Sequence, residues 1–319
     1  MHTRPVSSTK RYLALCGGVG GAKLVLGLSR ILPPEHLTIV VNTGDDFEHL
    51  GLSICPDLDT VSYTLAGLVQ PVHGWGRDAE SFVALETVER LGGETWFQLG
   101  DKDIGLHLMR RMMLDAGNSL SAVTRHIACQ LGIAHEIAPM TDGKVRTTVH
   151  TNGGPMPFQQ YFVKERCAPV ITGIEYSGAA DAPAAPALTR ALADPDLAGV
   201  FLCPSNPYLS IDPILALPDV RQMLVDAHAP VIAVAPIVRG AAIKGPTAKI
   251  MRELGMEPSA AAVARHYADF LDGYVIDTSD SLAANGLRVT SCDIVMKSLE
   301  DKMALARRCI AFSDELAKP

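Results

Sequence analysis

The architecture of the chain is indicated first by the segment Leu13-Ala14-Leu15-Cys16-Gly17-Gly18-Val19-Gly20-Gly21-Ala22-Lys23. A short apolar run, a glycine-rich run and a helical pattern follow one another, which predicts a strand, a tight turn and the start of a helix. Such a turn offers backbone N–H groups and a helix N-terminus to phosphate oxygens. Glycine-rich turns are also common as plain connections, so both a phosphate role and a structural role stay open for this segment alone.

Two common nucleotide motifs do not fit the turn. A Walker A loop ends in Gly-Lys-Ser/Thr, whereas here Lys23 stands between Ala22 and Leu24. The dinucleotide fingerprint fails because its third glycine position is Lys23, and the acidic residue expected about 20 residues later is replaced by Asn42-Thr43-Gly44. The turn therefore does not indicate a P-loop enzyme or a nicotinamide dehydrogenase.

The rest of the chain alternates short apolar runs with helical patterns. The runs lack a period of two and end in loop residues, as buried parallel strands do. Their alternation with helices predicts an α/β fold with a doubly wound, mainly parallel sheet, whose ligand loops lie at the carboxyl ends of the strands. The predicted strands are 12–16, 37–41, 199–203, 230–235 and 274–276, and the predicted helices are 22–31, 187–193, 220–227, 247–254, 260–271 and 298–316.

Two segments depart from this alternation. Three consecutive helical patterns between residues 79 and 131 predict a helical insert or cap. Asn152-Gly153-Gly154 lies between possible strands at 144–151 and 157–164 and predicts a β-hairpin, because Asn-Gly readily adopts positive φ. We therefore expect an α/β core over residues 11–70 and 132–319 and a helical insert over residues 71–131. The helical patterns of the insert are 79–91, 103–116 and 120–131.

Composition limits the class of protein. The formal charge of −7 and the absence of a Lys/Arg cluster argue against a general nucleic-acid surface. Seven scattered cysteines lack metal-ligand spacing and fit a reducing compartment. No segment has the ~20 continuous apolar residues of a membrane span. We expect a cytoplasmic protein with no membrane or nucleic-acid partner.

Four aspartates follow the strand predicted at 37–41 and indicate a cation site. Asp45, Asp46, Asp57 and Asp59 should emerge at the same edge of the sheet as the glycine turn. Mg²⁺ binds one or two carboxylates together with substrate phosphate oxygens and water, which this arrangement could supply. The alternative is structural, since aspartates before a helix are often caps and Asp-Asp pairs are common in turns.

Two later loops add candidate ligand contacts. Ser205 and Asn206 follow the strand predicted at 199–203 and could recognise a base or a ribose. Arg239 and Lys244 follow the strand predicted at 230–235 and could meet phosphate. His49 lies inside the acidic segment and could orient a ligand, and ordinary loop chemistry is the alternative for each residue.

Six motifs follow one another along the chain, at residues 17–23, 41–46, 55–60, 99–103, 204–207 and 244–246. In this order they resemble the motifs of the 2-phospho-L-lactate transferase family, and the similarity extends from about Tyr12 to the last predicted helix. The resemblance implies a Rossmann-like fold, a homodimer, and transfer of a phosphorylated three-carbon acid from a guanosine diphosphate-linked donor to the hydroxyl of a deazaflavin precursor. GMP would be released, and the product would be the first complete skeleton of the deazaflavin coenzyme.

The resemblance, together with the loop positions, leads to specific roles. We expect Asp45 and Asp57 to bind Mg²⁺ and Asp45, Asp46 and Asp59 to act in catalysis, with Asp59 or Asp46 as the proton acceptor. Asp59 and Gln98 resemble the family positions that touch the deazaflavin, although Gln98 departs from the basic residue of some relatives. The donor-side candidates are Gly18, Gly20, Ser205, Asn206 and Lys244.

Other functions stay possible at this point. A non-catalytic nucleotide-sugar-binding regulator of the YvcK kind would share the glycine turn and an Asp-Asp pair, but it would not need the motif at 55–60 or a helical cap. The sequence also does not select among phospholactate, phosphoenolpyruvate and 3-phosphoglycerate. These acids differ by small groups whose discrimination depends on pocket shape.

Overall fold

The structure, a computed structural model, describes residues 9–282 and 286–317. Its strands are β1 Arg11–Cys16, β2 Leu37–Val41, β3 Phe47–His49, β4 Leu52–Ile54, β5 Glu136–Pro139, β6 Arg146–Thr151, β7 Gly154–Pro157, β8 Ile171–Ser177, β9 Leu197–Leu202, β10 Val231–Val234, β11 Ile237–Val238, β12 Ala241–Ala242, β13 Gly273–Asp277 and β14 Arg288–Cys292.

The α-helices alternate with these strands along most of the chain. They are α1 Gly18–Ile31, α2 Pro56–Leu65, α3 Val83–Arg90, α4 Asp101–Asp115, α5 Leu120–Gln130, α6 Pro186–Leu192, α7 Asp212–Leu215, α8 Val220–Val225, α9 Thr247–Glu253, α10 Ala260–His266 and α11 Leu299–Leu316. Short 3-10 helices cover Pro34–His36 and Ala179–Asp181, and π-helical turns cover Gln160–Lys164 and Pro207–Ile211.

A seven-stranded parallel sheet forms the centre of the fold. Its strand order is β14-β13-β10-β9-β1-β2-β5. All five predicted strands lie in this sheet, so the predicted α/β fold is confirmed. The two strands that were not predicted, β5 and β14, are at its edges. Edge strands need no continuous apolar run, and β14 has no fully buried residue.

The helix that follows the glycine turn packs against the last helix of the described chain. α1 buries residues at helical spacing, including Ala22, Val25 and Leu28, as an amphipathic helix does. α11 lies along it so closely that a methyl group on Gly27 would be 2.1 Å from the Lys302 carbonyl oxygen. Glycine at position 27 therefore allows the two backbones to touch.

Two hairpins lie outside the central sheet. β6 and β7 pair around Asn152–Gly153, which confirms the predicted hairpin, but its second strand is Gly154–Pro157 and not 157–164. Phe158 and Tyr161 are both buried at a spacing of three, so that stretch turns helically instead. The other hairpin, β3–β4, was not predicted.

The predicted insert contains α3, α4 and α5. α5 packs against β5 of the central sheet, so the boundary at residue 131 stays a prediction. Among the described residues, no helix combines the length and the apolar character that a membrane crossing requires.

Gly27→Ala should destabilise the protein by about 1–3 kcal/mol, because the added methyl group forces α1 and α11 apart. Gly105→Ala is a matched control in α4, where a methyl group meets nothing within 4 Å. Alanine is the better helix former, so this control should stabilise the protein by roughly 0.5–1 kcal/mol. Differential scanning calorimetry of the two variants measures both effects. Equal shifts in melting temperature would contradict the packing argument.

Candidate active site

Loops from three neighbouring strands meet at the carboxyl edge of the sheet. The glycine turn leaves β1, residues 42–46 leave β2, and residues 204–206 leave β9. β2 and β9 lie on opposite sides of β1, so the strand order reverses here. Open α/β sheets bind ligands at such a point. The structure therefore places the glycine turn and the acidic segment together, as the sequence predicted.

The glycine turn is fastened to the loop after β9. Gly18 begins α1 with a φ of 61°, in the left-handed region that glycine favours. The Ser205 hydroxyl accepts a hydrogen bond from the Gly17 N–H (3.1 Å) and donates one to the Gly17 carbonyl (2.8 Å). A methyl group on Gly20 would lie 2.1 Å from the Pro204 carbonyl oxygen. Ser205 and Gly20 thus hold the turn in place, and the donor contacts expected of them and of Gly18 stay predictions.

The Asn206 side chain is bonded at one end and free at the other. Its Oδ1 accepts hydrogen bonds from the N–H groups of Tyr208 (3.0 Å) and Leu209 (3.2 Å). Its Nδ2 is buried and has no hydrogen-bond partner within the described residues. Buried amide donors are rarely left unpaired, so this atom is available to an oxygen of a bound ligand.

A buried asparagine organises the acidic segment. Asn42 Nδ2 donates to Asp57 Oδ2 (3.0 Å) and to the Leu209 carbonyl (3.1 Å), while its Oδ1 accepts from the Gly44 N–H (2.8 Å). One side chain therefore joins the loops after β2 and β9 to the first turn of α2. From the sequence, Asn42 was predicted only as part of the motif at 41–46 and not as a residue that organises the site. The available signal was an amide residue directly after a buried strand.

Asp45 and Asp57 are buried carboxylates that interact with each other. Burial, and then the charge of Asp57, raises the pKa of Asp45 well above its ordinary value. Burial raises the pKa of Asp57 to about 6, although hydrogen bonds from Asn42 and the Gly18 N–H oppose the shift. Asp45 Oδ1 is buried and has no hydrogen-bond partner in the described chain. Two desolvated carboxylates with an unused acceptor atom favour a nearby cation.

Asp46 lies beside this pair in a different environment. Burial raises its pKa to about 7, and a hydrogen bond with the Cys55 thiol and the charges of Arg146 and Arg110 oppose that shift. Its Oδ1 is buried and unpartnered in the part of the chain that the structure describes. A carboxylate with a free oxygen is able to accept a proton from an alcohol.

The pair Asp45 and Asp57 fits a magnesium ion. Mg²⁺ is usually bound through one or two carboxylates plus phosphate oxygens and water, rather than by a cage of protein groups. Over residues 9–282 and 286–317, no group of three or more His, Cys, Asp or Glu side chains is arranged to hold a metal ion. Two carboxylates beside the glycine turn match the magnesium pattern. Their assignment as metal ligands stays a prediction.

Asp59 is bound to the helical insert. Arg110 of α4 donates to both of its oxygens, from Nη1 to Oδ2 (3.1 Å) and from Nη2 to Oδ1. Nη1 also donates to the Ser53 carbonyl (3.1 Å). Arg110 is 2% exposed and Asp59 is 7% exposed, so the ion pair is buried. Both Asp59 oxygens therefore already accept hydrogen bonds from Arg110, and the contact of Asp59 with the deazaflavin stays a prediction.

Arg110 was missed by the sequence analysis. It lies 51 residues from Asp59, on a helix whose pattern gives no sign of a partner in the core. The motif at 99–103 also has structural bonds. Asp101 accepts hydrogen bonds from the N–H groups of Val83 (3.2 Å) and Ala84 (3.0 Å), and Asp103 accepts one from the Tyr63 hydroxyl (2.7 Å). These bonds fasten the insert to itself and to α2.

Two predicted substrate contacts lie on the surface. Gln98 is exposed and directly follows Trp96 and Phe97 in the insert. Lys244 is exposed as well, and its Nζ donates to the His73 carbonyl. Burial and the charge of Lys244 lower the pKa of Lys23, which places Lys244 near the helix that begins at the glycine turn. Both substrate contacts stay predictions.

The sequence matches a known family over most of its length. The family described as 2-phospho-L-lactate transferase CofD matches residues 13–307. The chain is 38% identical to a phosphoenolpyruvate transferase from Streptomyces griseus, over 96% of this chain and 99% of that protein. It is 37% identical to a 2-phospho-L-lactate transferase from Methanosarcina acetivorans, over 95% of this chain and 99% of that protein.

A solved structure has a similar fold. A UPF0052 protein from Bacillus halodurans superposes with a TM-score of 0.62 at 13% identity, covering 96% of this chain and 100% of that one. At this identity the likeness concerns the fold alone. It supports the Rossmann-like α/β architecture.

Arg110→Met should destabilise the protein by about 3–5 kcal/mol, because the Asp59 carboxylate is left buried without its partner. The double variant Arg110→Met with Asp59→Leu removes both charges and should recover most of that loss. Thermal unfolding followed by circular dichroism measures both variants. A double variant as unstable as the single one would contradict the assignment of a buried ion pair.

Asp57→Asn should stabilise the metal-free protein at pH 8 by roughly 1–3 kcal/mol. The pKa of Asp57 rises on folding from its ordinary 3.8 to about 6, so the folded state loses stability as the pH rises through that window. Above about pH 6 the full cost of burying the charged Asp57 carboxylate is present. Asparagine is uncharged and does not have this cost. The gain in the free energy of unfolding of Asp57→Asn over wild type should therefore be smaller at pH 5 than at pH 8.

Melting temperatures in EDTA at pH 5 and pH 8 test this expectation. Asp115→Asn is the control, because Asp115 is an exposed residue of α4 that pairs with Arg111 across one helical turn. Its effect should not grow with pH. A gain for Asp57→Asn that is equal at both pH values would show that burial of this carboxylate is not costly.

Proposed function

This chain belongs to the 2-phospho-L-lactate transferase family, and on that premise we propose a specific reaction for it. It transfers a phosphorylated three-carbon acid from a guanosine diphosphate-linked donor to the hydroxyl of 7,8-didemethyl-8-hydroxy-5-deazariboflavin, releasing GMP, in coenzyme F420 biosynthesis. The observation that carries the proposal is the pair of buried aspartates, Asp45 and Asp57, next to the glycine turn. A cation site beside a phosphate site suits a diphosphate-linked donor.

The donor diphosphate binds at the glycine turn in this proposal. The N–H groups of the first turn of α1, which have no partner within the helix, and the partial positive charge of the helix N-terminus meet the phosphate oxygens. Ser205 keeps the turn rigid, and the free Nδ2 of Asn206 donates to a donor oxygen. Lys244 exchanges its bond to the His73 carbonyl for a phosphate. Fixed donors of this kind position a phosphoryl group and stabilise its charge.

Asp45 and Asp57 would hold Mg²⁺. When bound, Mg²⁺ supplies positive charge that offsets the negative charge on the transferred phosphoryl group and on the leaving GMP. Asn42 keeps Asp57 in position for this task through its Nδ2 hydrogen bond.

Asp46 is the proton acceptor in this proposal. The acceptor hydroxyl oxygen forms a bond to the phosphorus of the phospho-acid, the bridging bond from that phosphorus to GMP breaks, and the hydroxyl proton passes to Asp46. The choice of Asp46 over Asp59 follows from their partners. Asp46 Oδ1 is free among the described residues, whereas both Asp59 oxygens accept hydrogen bonds from Arg110.

The acceptor lies between the acidic segment and the insert. Gln98 is exposed on the insert and is our candidate for a direct contact. Asp59 acts on this side by holding α4 in place through Arg110, and any direct contact it makes adds to that role. In this proposal the acceptor approaches from the side of the insert and the donor from the side of the glycine turn.

An assay is needed to identify which acid the protein transfers. Relatives named for phosphoenolpyruvate and for 2-phospho-L-lactate are 38% and 37% identical to this chain, so overall identity does not separate them. Competition among the guanylylated forms of phospholactate, phosphoenolpyruvate and 3-phosphoglycerate ranks the three donors by kcat/KM. That ratio is the measure of specificity.

The pure protein, incubated with these donors, the deazaflavin acceptor and Mg²⁺, should release GMP in step with phospho-acid transfer, as chromatography would show. EDTA should stop the reaction. Asp57→Asn should lower kcat at least ~100-fold because an amide supplies no negative charge to the cation, whereas the exposed Asp115→Asn should match wild type.

A non-catalytic regulator would bind a nucleotide and release no GMP under any of these conditions. That outcome, with a folded protein and all three donors, would overturn the proposed transfer. Full activity of folded Asp57→Asn would instead remove Asp57 from the metal site and leave the transfer itself intact.

A further inference from the structure

The β3–β4 hairpin carries an apolar face against the insert. Phe47 and His49 are two residues apart on β3, and they pair with Ile54 and Leu52 of β4, so all four lie on one face. That face packs against residues 96–99, and Leu52, Ile54 and Leu99 form a small core separate from the main one.

Four rings gather at this contact, and we call Phe47, His49, Trp96 and Phe97 the aromatic cluster. Ring centroids of Phe47 and Phe97 are 4.8 Å apart in an edge-to-face arrangement, and those of His49 and Trp96 are 5.2 Å apart. Phe47 and Trp96 lie 5.9 Å apart. Phe47, Trp96 and Phe97 are each only half-buried, so the cluster is not closed off from solvent as a core would be.

One ring nitrogen of His49 is buried without a hydrogen bond to any described residue. The residue is 6% exposed, and its Nε2 has no hydrogen-bond partner in the described part of the chain. Burial lowers the pKa of His49, which favours the neutral ring. A neutral imidazole still carries a hydrogen-bonding nitrogen at each position. An unpaired buried polar atom among aromatic rings calls for a partner that the described residues do not provide.

The aromatic cluster adjoins the proposed proton acceptor. Phe47 directly follows Asp46, and its cross-strand partner Ile54 directly precedes Cys55, whose thiol bonds to Asp46. Gln98, the candidate acceptor contact, directly follows Trp96 and Phe97. A flat molecule against these rings would therefore lie next to the chain segments that carry Asp46 and Gln98.

We propose that the aromatic cluster binds the fused ring of the deazaflavin acceptor, with the ring stacked on Trp96 and Phe47 and a polar ring edge bonded to His49 Nε2. This inference rests on the proposed function and adds the residues that select the acceptor. Fused heteroaromatic rings have apolar faces and polar edges, which match half-buried aromatic side chains around a single free nitrogen. An aliphatic alcohol lacks both features and is excluded.

Calorimetric titration of the deazaflavin precursor into the folded protein tests the proposal. Trp96→Ala should weaken binding on the order of tenfold, the range found for loss of a stacking partner. Binding of GDP with Mg²⁺ should stay within twofold. Phe82→Ala is the control, since Phe82 is a 40% exposed aromatic residue of the same insert outside the cluster, and it should leave both affinities unchanged.

His49→Phe separates recognition from packing. Phenylalanine keeps an aromatic ring at this position and removes the unpaired nitrogen, so it should raise the melting temperature. It should also weaken deazaflavin binding at least fivefold if Nε2 bonds the ligand. A stable His49→Phe variant that binds the deazaflavin as wild type does would overturn the role of His49, and unchanged binding by Trp96→Ala would overturn the aromatic cluster as the acceptor site.

These outcomes are distinct from failure of the proposed transfer. If wild-type protein releases GMP but the cluster variants bind the deazaflavin normally, the acceptor site is elsewhere and the transfer stands. If the deazaflavin binds in a Trp96-dependent manner and no donor yields GMP, the cluster stands and the transfer fails.

Discussion

The hydrogen bonds of the Asn42 side chain are the constraint on which the site depends. The amide donates to the Asp57 carboxylate and the Leu209 carbonyl and accepts from the Gly44 N–H, all in a buried position. An aspartate here would place a second charge against Asp57, and an apolar residue would leave three polar groups unsatisfied. Asn42 thus keeps Asp57 where water is largely excluded. In such a place an added cation gains the most electrostatic energy.

The sequence predicted those parts of the fold that have local signals. The central strands are continuous apolar runs, and the glycine turn and the Asn152–Gly153 hairpin have characteristic turn residues. The β3–β4 hairpin has neither signal. Its strands have three residues each, and they turn through Leu50 and Gly51, both with positive φ. This hairpin is held by packing against Phe97 and Leu99, more than forty residues later, which no local pattern reveals.

In the site, too, the residue types could be predicted from the sequence, but their distant bonding partners could not. The aspartates, the glycine turn and Ser205 were predicted from their positions after strands, and the structure brings them to one edge of the sheet. What the sequence could not show was which groups they bond. The partner of Asp59 is Arg110, buried on a helix of the insert, and the resulting ion pair gives Asp59 a fastening role. The family membership suggested by six ordered motifs is confirmed.

The packing of α1 on α11 has a consequence for how the protein is made. The two helices are roughly 280 residues apart in the sequence, yet the backbone at Gly27 touches that at Lys302. At the ribosome's rate of ~5–20 residues per second, α1 waits on the order of tens of seconds for this partner. The side of α1 around Gly27 stays uncovered throughout that time, whereas the side that packs against α2 is covered much earlier. The helix that begins at the glycine turn is therefore packed on both sides only after α11 emerges, so this contact of high sequence separation forms late in folding.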